Sequence, residues 1–200
     1  FSSPCFESRG IQASEKDKLK QRIVKRLGYL PLAVKLAGAQ LRRENPEEWL
    51  RSFAIHRLKA KRASIDNVHD SLEWTFNHSL KVLDAKTRFL YVALAIFKED
   101  EAILQNGIKR LWQGLDGLDS NETTALLHDL AARALLQIDI SGKIELHDLL
   151  REFIGAELKD KFVETHQALL MAYRTSWCGV GWHTADDDGY LYDHLAYHLY

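Results

Sequence analysis

Residues 135–148 read LLQIDISGKIELHD, and this stretch decides the fold. Apolar residues recur in it at every second position: Leu136, Ile138 and Ile140. That period is typical of a half-buried strand. We expect two short strands, Leu135–Ile140 and Lys143–Leu146, joined by a turn at Ser141–Gly142. The stretch therefore predicts a β-hairpin.

Helical periodicity fills the chain before this hairpin, with apolar residues three and four positions apart. The patterns run over roughly 67–78, 82–97, 104–113 and 121–134. Ser120 or Asn121 can cap the last of these helices, since both side chains accept a hydrogen bond from the first turn. Three helices followed by a hairpin are the order of a winged-helix domain, which we predict at residues 63–158.

A small helical bundle is predicted further upstream, at residues 1–62. Its first helix begins at Ser14 and ends at Gly28, which fits the left-handed position after a helix. Pro31 suits the first turn of a second helix, where no backbone N–H is required. Asn45 and Pro46 repeat this start for a third helix, to about Arg57. The expected core face comprises Leu19, Ile23, Leu27, Leu32, Leu36, Leu41, Trp49 and Phe53.

Downstream of the hairpin the chain becomes helical again. A helix begins after Asp148, and apolar periodicity resumes over Phe162–Tyr173. The loop GVGWHTADDDG then precedes YLYDHLAYHLY, which has the pattern of an amphipathic helix. We assign residues 159–200 to the start of a C-terminal helical domain. The predicted fold class is mainly α: a helical bundle, a winged-helix domain with a hairpin wing, and further helices.

The composition is that of a soluble globular protein, with 46% hydrophobic and 28% charged residues. No apolar run reaches the roughly 18 residues of a membrane span, so we expect no membrane partner. Cys5 and Cys178 lack metal-binding spacing and suggest reduced thiols and a cytoplasmic location. Because the chain starts at Phe1 rather than at Met, we expect it to be an excised piece.

Charge is distributed unevenly along the chain. Residues 1–62 carry fifteen Lys and Arg against six Asp and Glu, whereas residues 63–200 carry twelve against twenty-two. The basic part can face phosphate, nucleic acid or an acidic protein surface, and it can equally be a solvated helix face.

Catalytic motifs are absent from the sequence. It contains no GxxxxGK[ST] phosphate loop, no HExxH and no GxSxG. Asp186–Asp188 follow no hydrophobic strand and do not resemble a magnesium-binding segment. His194 and His198 have a spacing that suits zinc, but helix packing explains them without a metal. We therefore predict no catalytic residue, no metal site and no enzymatic activity for this chain alone.

Two short motifs remain. GYLPLA, at residues 28–33, has a structural explanation, because Gly28 ends one helix and Pro31 starts the next. LHD, at residues 146–148, also has one, because Asp148 can cap a helix and His147 can end a strand. Together, in this order and with a winged-helix pattern between them, they resemble the GLPLA and MHD motifs of the NB-ARC/STAND signalling ATPases. Leu146 replaces the methionine, and Tyr29 stands where the family often has glycine.

The resemblance implies a function. In the family, the proline packs against the bound nucleotide and the histidine hydrogen-bonds the β-phosphate of ADP, which points here to Pro31 and His147. It implies ADP or ATP in the intact parent, by which we mean the longer protein of which this chain is expected to be a piece. It implies no nucleotide held by this piece alone. The implied role is ADP sensing that controls autoinhibition and oligomerisation in apoptosis-like or defence-like signalling.

The resemblance also implies partners. These are an N-terminal P-loop ATPase domain, a C-terminal repeat or propeller sensor, and further copies of the parent. The resemblance also allows slow ATP hydrolysis by the parent.

Two other functions stay open at this point. One is a winged-helix regulator that binds DNA, although the candidate recognition helix, ETTALLHDLAARAL, is net acidic and opposes docking on phosphates. We therefore expect no nucleic-acid partner. The other is a protein-interaction scaffold with a vestigial nucleotide site.

Overall fold

The computed structural model describes residues 17–62, 70–175, 181–185 and 187–199, and for 59–62 only the backbone. The chain divides into two compact units, with the boundary in the sequence between Val82 and Leu83. Each unit has its own buried core. The subdomain limits predicted at 62 and 158 stay predictions.

The first unit contains four helices among its described residues. They are α1 (residues 17–26), α2 (Pro31–Gln40), α3 (Pro46–Arg62) and α4 (Asp70–Lys81). The predicted start of α1 at Ser14 lies outside the described residues. Asn45 caps α3 as expected, since its Oδ1 accepts from the backbone nitrogens of Glu47 and Glu48 at 2.9 and 3.4 Å. The third helix is longer than predicted and continues to Arg62.

Apolar side chains from all four helices form the core of the first unit. Five of the predicted core residues are buried: Ile23, Leu27, Leu36, Trp49 and Phe53. The other three are half-buried: Leu19, Leu32 and Leu41. The helix α4 adds Leu72, Phe76 and Leu80 to the same core. By packing, α4 therefore groups with the first unit.

A buried amide links three helices of the first unit. The side chain of Gln40 donates to the carbonyl oxygen of Thr75 at 2.7 Å and to the hydroxyl of Ser79 at 2.6 Å. Its oxygen accepts from the indole nitrogen of Trp49 at 2.6 Å. Each polar group thus regains a partner that it lost on leaving water. The sequence periodicity gave no sign of this network.

The second unit contains the hairpin and the helices that precede and follow it. They are α5 (Ala85–Val92), a 3-10 turn (Ala93–Ile96), α6 (Gln105–Asp116), α7 (Ser120–Ala132), β1 (Gln137–Ile138), β2 (Ile144–Glu145), α8 (Asp148–Leu158), a 3-10 turn (Lys159–Lys161), α9 (Phe162–Thr175), a 3-10 turn (Trp182–Thr184) and α10 (Leu191–Leu199). The predicted mainly helical fold class with a hairpin wing is therefore confirmed.

The cap of α7 differs from the sequence expectation. Asp119, rather than Ser120 or Asn121, precedes the first helical residue and accepts from the backbone nitrogens of Asn121 and Glu122 at 2.7 and 2.8 Å. The carboxylate of Glu122 accepts in return from the backbone nitrogen of Asp119 at 2.9 Å. This reciprocal pair satisfies more free donors than a single serine or asparagine cap does.

The hairpin is shorter than predicted and forms an antiparallel pair. Ile138 lies opposite Ile144, and Ile144 also exchanges backbone hydrogen bonds with Ile103, at 2.8 and 2.9 Å. Leu136 is buried and Ile138 half-buried, as the alternation predicts, but Ile140 is fully exposed. The turn begins before Ile140, so the alternation no longer applies there.

The helices α6 and α9 pack closely. A Cβ atom on Gly114 would lie 2.7 Å from the carbonyl oxygen of Ala168 and 2.9 Å from the Cβ of Ala172. Only glycine permits this approach. The helices after the hairpin are therefore part of the same compact unit as the wing.

Candidate functional site

The GYLPLA segment folds as a helix end followed at once by a helix start. The backbone nitrogen of Tyr29 donates to the carbonyl oxygen of Val24 at 3.1 Å, and that of Gly28 donates to Lys25 at 3.2 Å. This pair of bonds is the Schellman motif, which requires a left-handed residue after the helix. Gly28 supplies it with φ of 67°, so the predicted helix stop is confirmed.

Tyr29 is also left-handed, with φ of 59°. This conformation is unfavourable for a residue with a Cβ atom, which explains why glycine suits this position. The Tyr29 side chain is 68% exposed. It borders an open groove of about 750 Å³ on α1, together with Lys18, Lys20, Gln21, Arg22, Val24 and Lys25. Four of the basic side chains of residues 1–62 are thus presented beside the motif.

Pro31 occupies the first position of α2, as the sequence predicts. The preceding residue, Leu30, has extended backbone angles, and its carbonyl accepts from the nitrogen of Val34 at 2.9 Å. Ala33 is fully buried, whereas Pro31 is exposed. Ala33 therefore packs the motif into the core, and the rigid ring of Pro31 lies at the surface.

The LHD segment joins the wing to α8. Leu146 is buried, and His147 is exposed. His147, rather than Asp148, is the cap of α8, because its Nδ1 accepts from the backbone nitrogen of Leu149 at 3.3 Å. Asp148 is the first residue of the helix, where its carboxylate faces the positive end of the helix dipole. Pro31 and His147 lie in different units.

A histidine cluster that sequence reasoning missed lies between α9 and α10. His198 is 5% exposed, and its Nδ1 lies 2.8 Å from Nδ1 of His166. Its Nε2 lies 2.6 Å from the hydroxyl of Tyr190. Burial lowers the pKa of His198 to about 3, with a further contribution from His166 and His194. Burial also lowers the pKa of His166.

The ring nitrogens of His194 and His198 are engaged by other groups of the protein. The ring nitrogens of His194 contact the carbonyl oxygen of Tyr190 and the carboxylate of Glu101, both at 3.0 Å, and those of His198 are engaged as above. Within the described ranges, no group of three His, Cys, Asp or Glu side chains is placed to hold a metal ion. Cys178 and Asp186 lie outside those ranges.

The candidate recognition helix, α7, offers little to a nucleic acid. Arg133, the residue that follows its last turn, donates through Nε to the carboxylate of Asp129 at 2.6 Å. The wing presents Lys143 beside Asp139, whose carboxylate is tied to the turn by Ser141. The hydrogen bond from Ser141 is the largest cause that lowers the pKa of Asp139. The exposed surface of this region is therefore not a basic one.

None of the helices in the described part of the chain combines the length and the apolar character needed to cross a bilayer.

Known proteins resemble the chain over most of its length. No family model matches it. An apoptotic protease-activating factor 1 from Danio rerio is 29% identical over 176 residues, which cover 84% of this chain and 14% of that protein. A probable disease resistance protein from Arabidopsis thaliana is 26% identical over 203 residues, covering 95% of this chain and 25% of that protein.

A second probable disease resistance protein from Arabidopsis thaliana is 26% identical over 195 residues, or 92% of this chain and 24% of the relative. The chain thus spans a quarter or less of the length of these three relatives. The resemblance drawn from the two motifs is confirmed: at modest identity, the chain is a homologue of the NB-ARC/STAND ATPases of apoptosis and disease-resistance signalling to which these proteins belong.

Proposed function

We propose that this chain is the ADP-sensing, regulatory part of an NB-ARC/STAND nucleotide switch. The observation that carries the proposal is the exposed position of His147 at the cap of α8. The side chain stands at the amino end of a helix, where backbone N–H groups and the helix dipole favour negative charge. A phosphate of ADP is the anion that the proposal places there.

The exposed ring of Pro31 supports the same function. Its carbon surface is held rigidly at the start of α2, and Ala33 fixes that start in the core. A preformed apolar surface loses little conformational entropy when a flat ligand packs on it. We assign the nucleotide base or sugar to this surface.

The switch works by differential contact with two nucleotide states. In the closed state of the parent, His147 holds the β-phosphate of ADP and Pro31 packs on the nucleotide. Exchange for ATP removes these contacts, releases the winged-helix region and permits self-association. A ligand shifts such an equilibrium only through contacts that differ between the two states.

The rest of the parent supplies what this chain lacks. We propose an N-terminal P-loop domain that holds phosphates and magnesium, a C-terminal repeat or propeller sensor, and a cytoplasmic location. Any slow ATP hydrolysis belongs to the parent and not to this chain, whose sequence contains no phosphate loop.

Two alternatives remain distinguishable. DNA binding is disfavoured because Arg133, at the carboxyl end of α7, is paired with Asp129. A scaffold with a vestigial nucleotide site makes the same fold but retains no ADP. Purifying the parent and identifying its bound nucleotide separates this scaffold from the proposed switch.

The central test compares His147→Ala and His147→Asp with the wild-type parent. A charge-assisted hydrogen bond to a phosphate contributes about 1.5–3 kcal/mol, so its loss speeds ADP release by roughly ten- to a hundredfold. Aspartate adds repulsion between like charges. We expect ADP release and spontaneous assembly to increase from wild type to His147→Ala to His147→Asp, as measured by ADP off-rate and light scattering.

The capping role of His147 makes this test selective. Aspartate is a good helix cap, whereas alanine loses about 0.5–2 kcal/mol of helix stability. A purely structural role therefore makes His147→Ala the worse variant, and a phosphate contact makes His147→Asp the worse one. Equal off-rates in all three proteins would reduce His147 to a structural residue at the end of the wing.

A further inference from the structure

His147 is attached to the helix that it caps by two kinds of contact. Its carbonyl oxygen accepts from the backbone nitrogens of Leu150 and Arg151 at 2.8 and 3.0 Å. Its ring nitrogen Nδ1 accepts from the backbone nitrogen of Leu149 at 3.3 Å. The ring of this exposed residue is therefore oriented by its own chain.

The first turn of α8 that provides these donors is itself held firmly. Leu150 is 1% exposed and Ile154 is fully buried. The guanidinium of Arg151 donates to the carbonyl oxygen of Phe97 at 2.6 Å. A backbone donor that must position a side chain to within a few tenths of an ångström is best carried by such a rigid element.

The contact with Leu149 has a consequence for the proton on the ring. A neutral imidazole has one N–H donor and one bare nitrogen that accepts. Because Nδ1 accepts, the proton resides on Nε2, at the side of the ring away from the helix. The partner of one ring nitrogen thus determines the chemistry of the other.

We propose that the backbone N–H of Leu149 is a positioning group that fixes His147 as the Nε2–H tautomer and so presents a hydrogen-bond donor to an anionic phosphate oxygen. This rests on the proposed function for its ligand, although its geometry is independent of any nucleotide. The opposite tautomer places N–H against N–H at the helix and turns a lone pair toward the phosphate. Leu149 excludes that repulsive arrangement before the ligand arrives.

The first test needs no nucleotide. The tautomer of His147 is read from long-range 1H–15N correlation spectra of this 200-residue chain, at about pH 8, where imidazoles are neutral. A coupling across the hydrogen bond between the Leu149 nitrogen and Nδ1 is measured in the same sample. We expect a bare Nδ1, a protonated Nε2 and a detectable coupling. A mixture of tautomers without the coupling would overturn the proposal.

The second test removes the donor and keeps the histidine. Leu149→Pro has no backbone N–H, and a proline in the first turn of a helix is tolerated. Leu149→Ala is its matched control, because it also loses the leucine side chain but retains the N–H. In the intact parent, we expect Leu149→Pro to release ADP about two- to tenfold faster than Leu149→Ala. Equal release from these two variants would overturn the positioning role.

A conservative variant covers the case in which Leu149→Pro fails to fold. The side chain of His147→Asn accepts from Leu149 through Oδ1 and donates through its amide nitrogen. We expect its ADP off-rate to lie between those of wild type and His147→Ala, and a rate equal to that of His147→Ala contradicts the proposal. A wild-type off-rate in His147→Ala would instead overturn the proposed function, while the tautomer measurement still decides the geometry.

Discussion

Nδ1 of His198 lies 2.8 Å from Nδ1 of His166, so one of the two imidazoles donates to the other. The remaining ring nitrogen of His198 is engaged by the hydroxyl of Tyr190, whose own pKa is raised chiefly by burial. Burial lowers the pKa of His198, so the arrangement holds this residue in its neutral form. It joins α9 to α10 through a contact that is sensitive to protons.

This contact predicts an acid-sensitive second unit. The pKa of His198 falls from an ordinary value of 6.5 to about 3 on folding, so the unfolded chain binds more protons at acid pH. The contribution of neutral His198 to the free energy of unfolding is complete above pH 6.5 and is lost as the pH falls toward 3. Between pH 7 and pH 5 we expect His198 to account for a loss of about 2 kcal/mol in unfolding free energy.

Urea unfolding of wild type and His198→Gln at both pH values measures this difference. His128→Gln, at an exposed position on α7, is the control for replacing any histidine. If wild type and His198→Gln lose the same stability on acidification, the cluster has no such role.

Two glycines of the first unit should respond to alanine with opposite signs. Gly28 has φ of 67° and open space around its Cα, so Gly28→Ala incurs only backbone strain, about 1 kcal/mol. Gly38 lies inside α2 with equally open space, so Gly38→Ala should stabilise by about 0.5–1 kcal/mol. Urea denaturation measures both, and a Gly28→Ala variant as stable as wild type would refute the assignment of Gly28 as the left-handed helix stop.

The variant Pro31→Leu should distinguish the role of Pro31 at the start of α2 from its proposed contact with the nucleotide. The first helical position accepts other residues, so we expect the bundle to stay folded with a stability loss below about 1 kcal/mol. In the parent we expect faster ADP release. Pro46→Leu is a matched control, because Pro46 starts α3 in the same way. Should both variants retain ADP as wild type does, Pro31 keeps only its structural role.

Duplex DNA should not be a specific ligand. Arg133 is paired with Asp129 on α7, and the amino end of that helix carries Asp119 and Glu122. Fluorescence anisotropy with a pool of duplexes near physiological salt is expected to show only weak, unselective binding. Sequence-selective binding with a Kd below about 1 μM would contradict this expectation.

Local features were determined by the sequence itself. The stop at Gly28, the start at Pro31 and the cap at Asn45 each depend on bonds within about five residues, where residue type restricts the backbone directly. The caps of α7 and α8 were misplaced by one or two residues because several neighbouring side chains can all accept. Two motifs sufficed to indicate the family because each is a contiguous string.

Contacts between distant residues were decided only by the tertiary structure. Gln40 meets Thr75 across 35 positions, and His166 meets His198 across 32. No periodicity encodes which polar groups face each other inside a core, since burial is set by the apolar pattern while polar pairing depends on how the helices dock. The orientation of the His147 ring likewise required the turn of α8, because the donor that fixes it exists only once that helix begins.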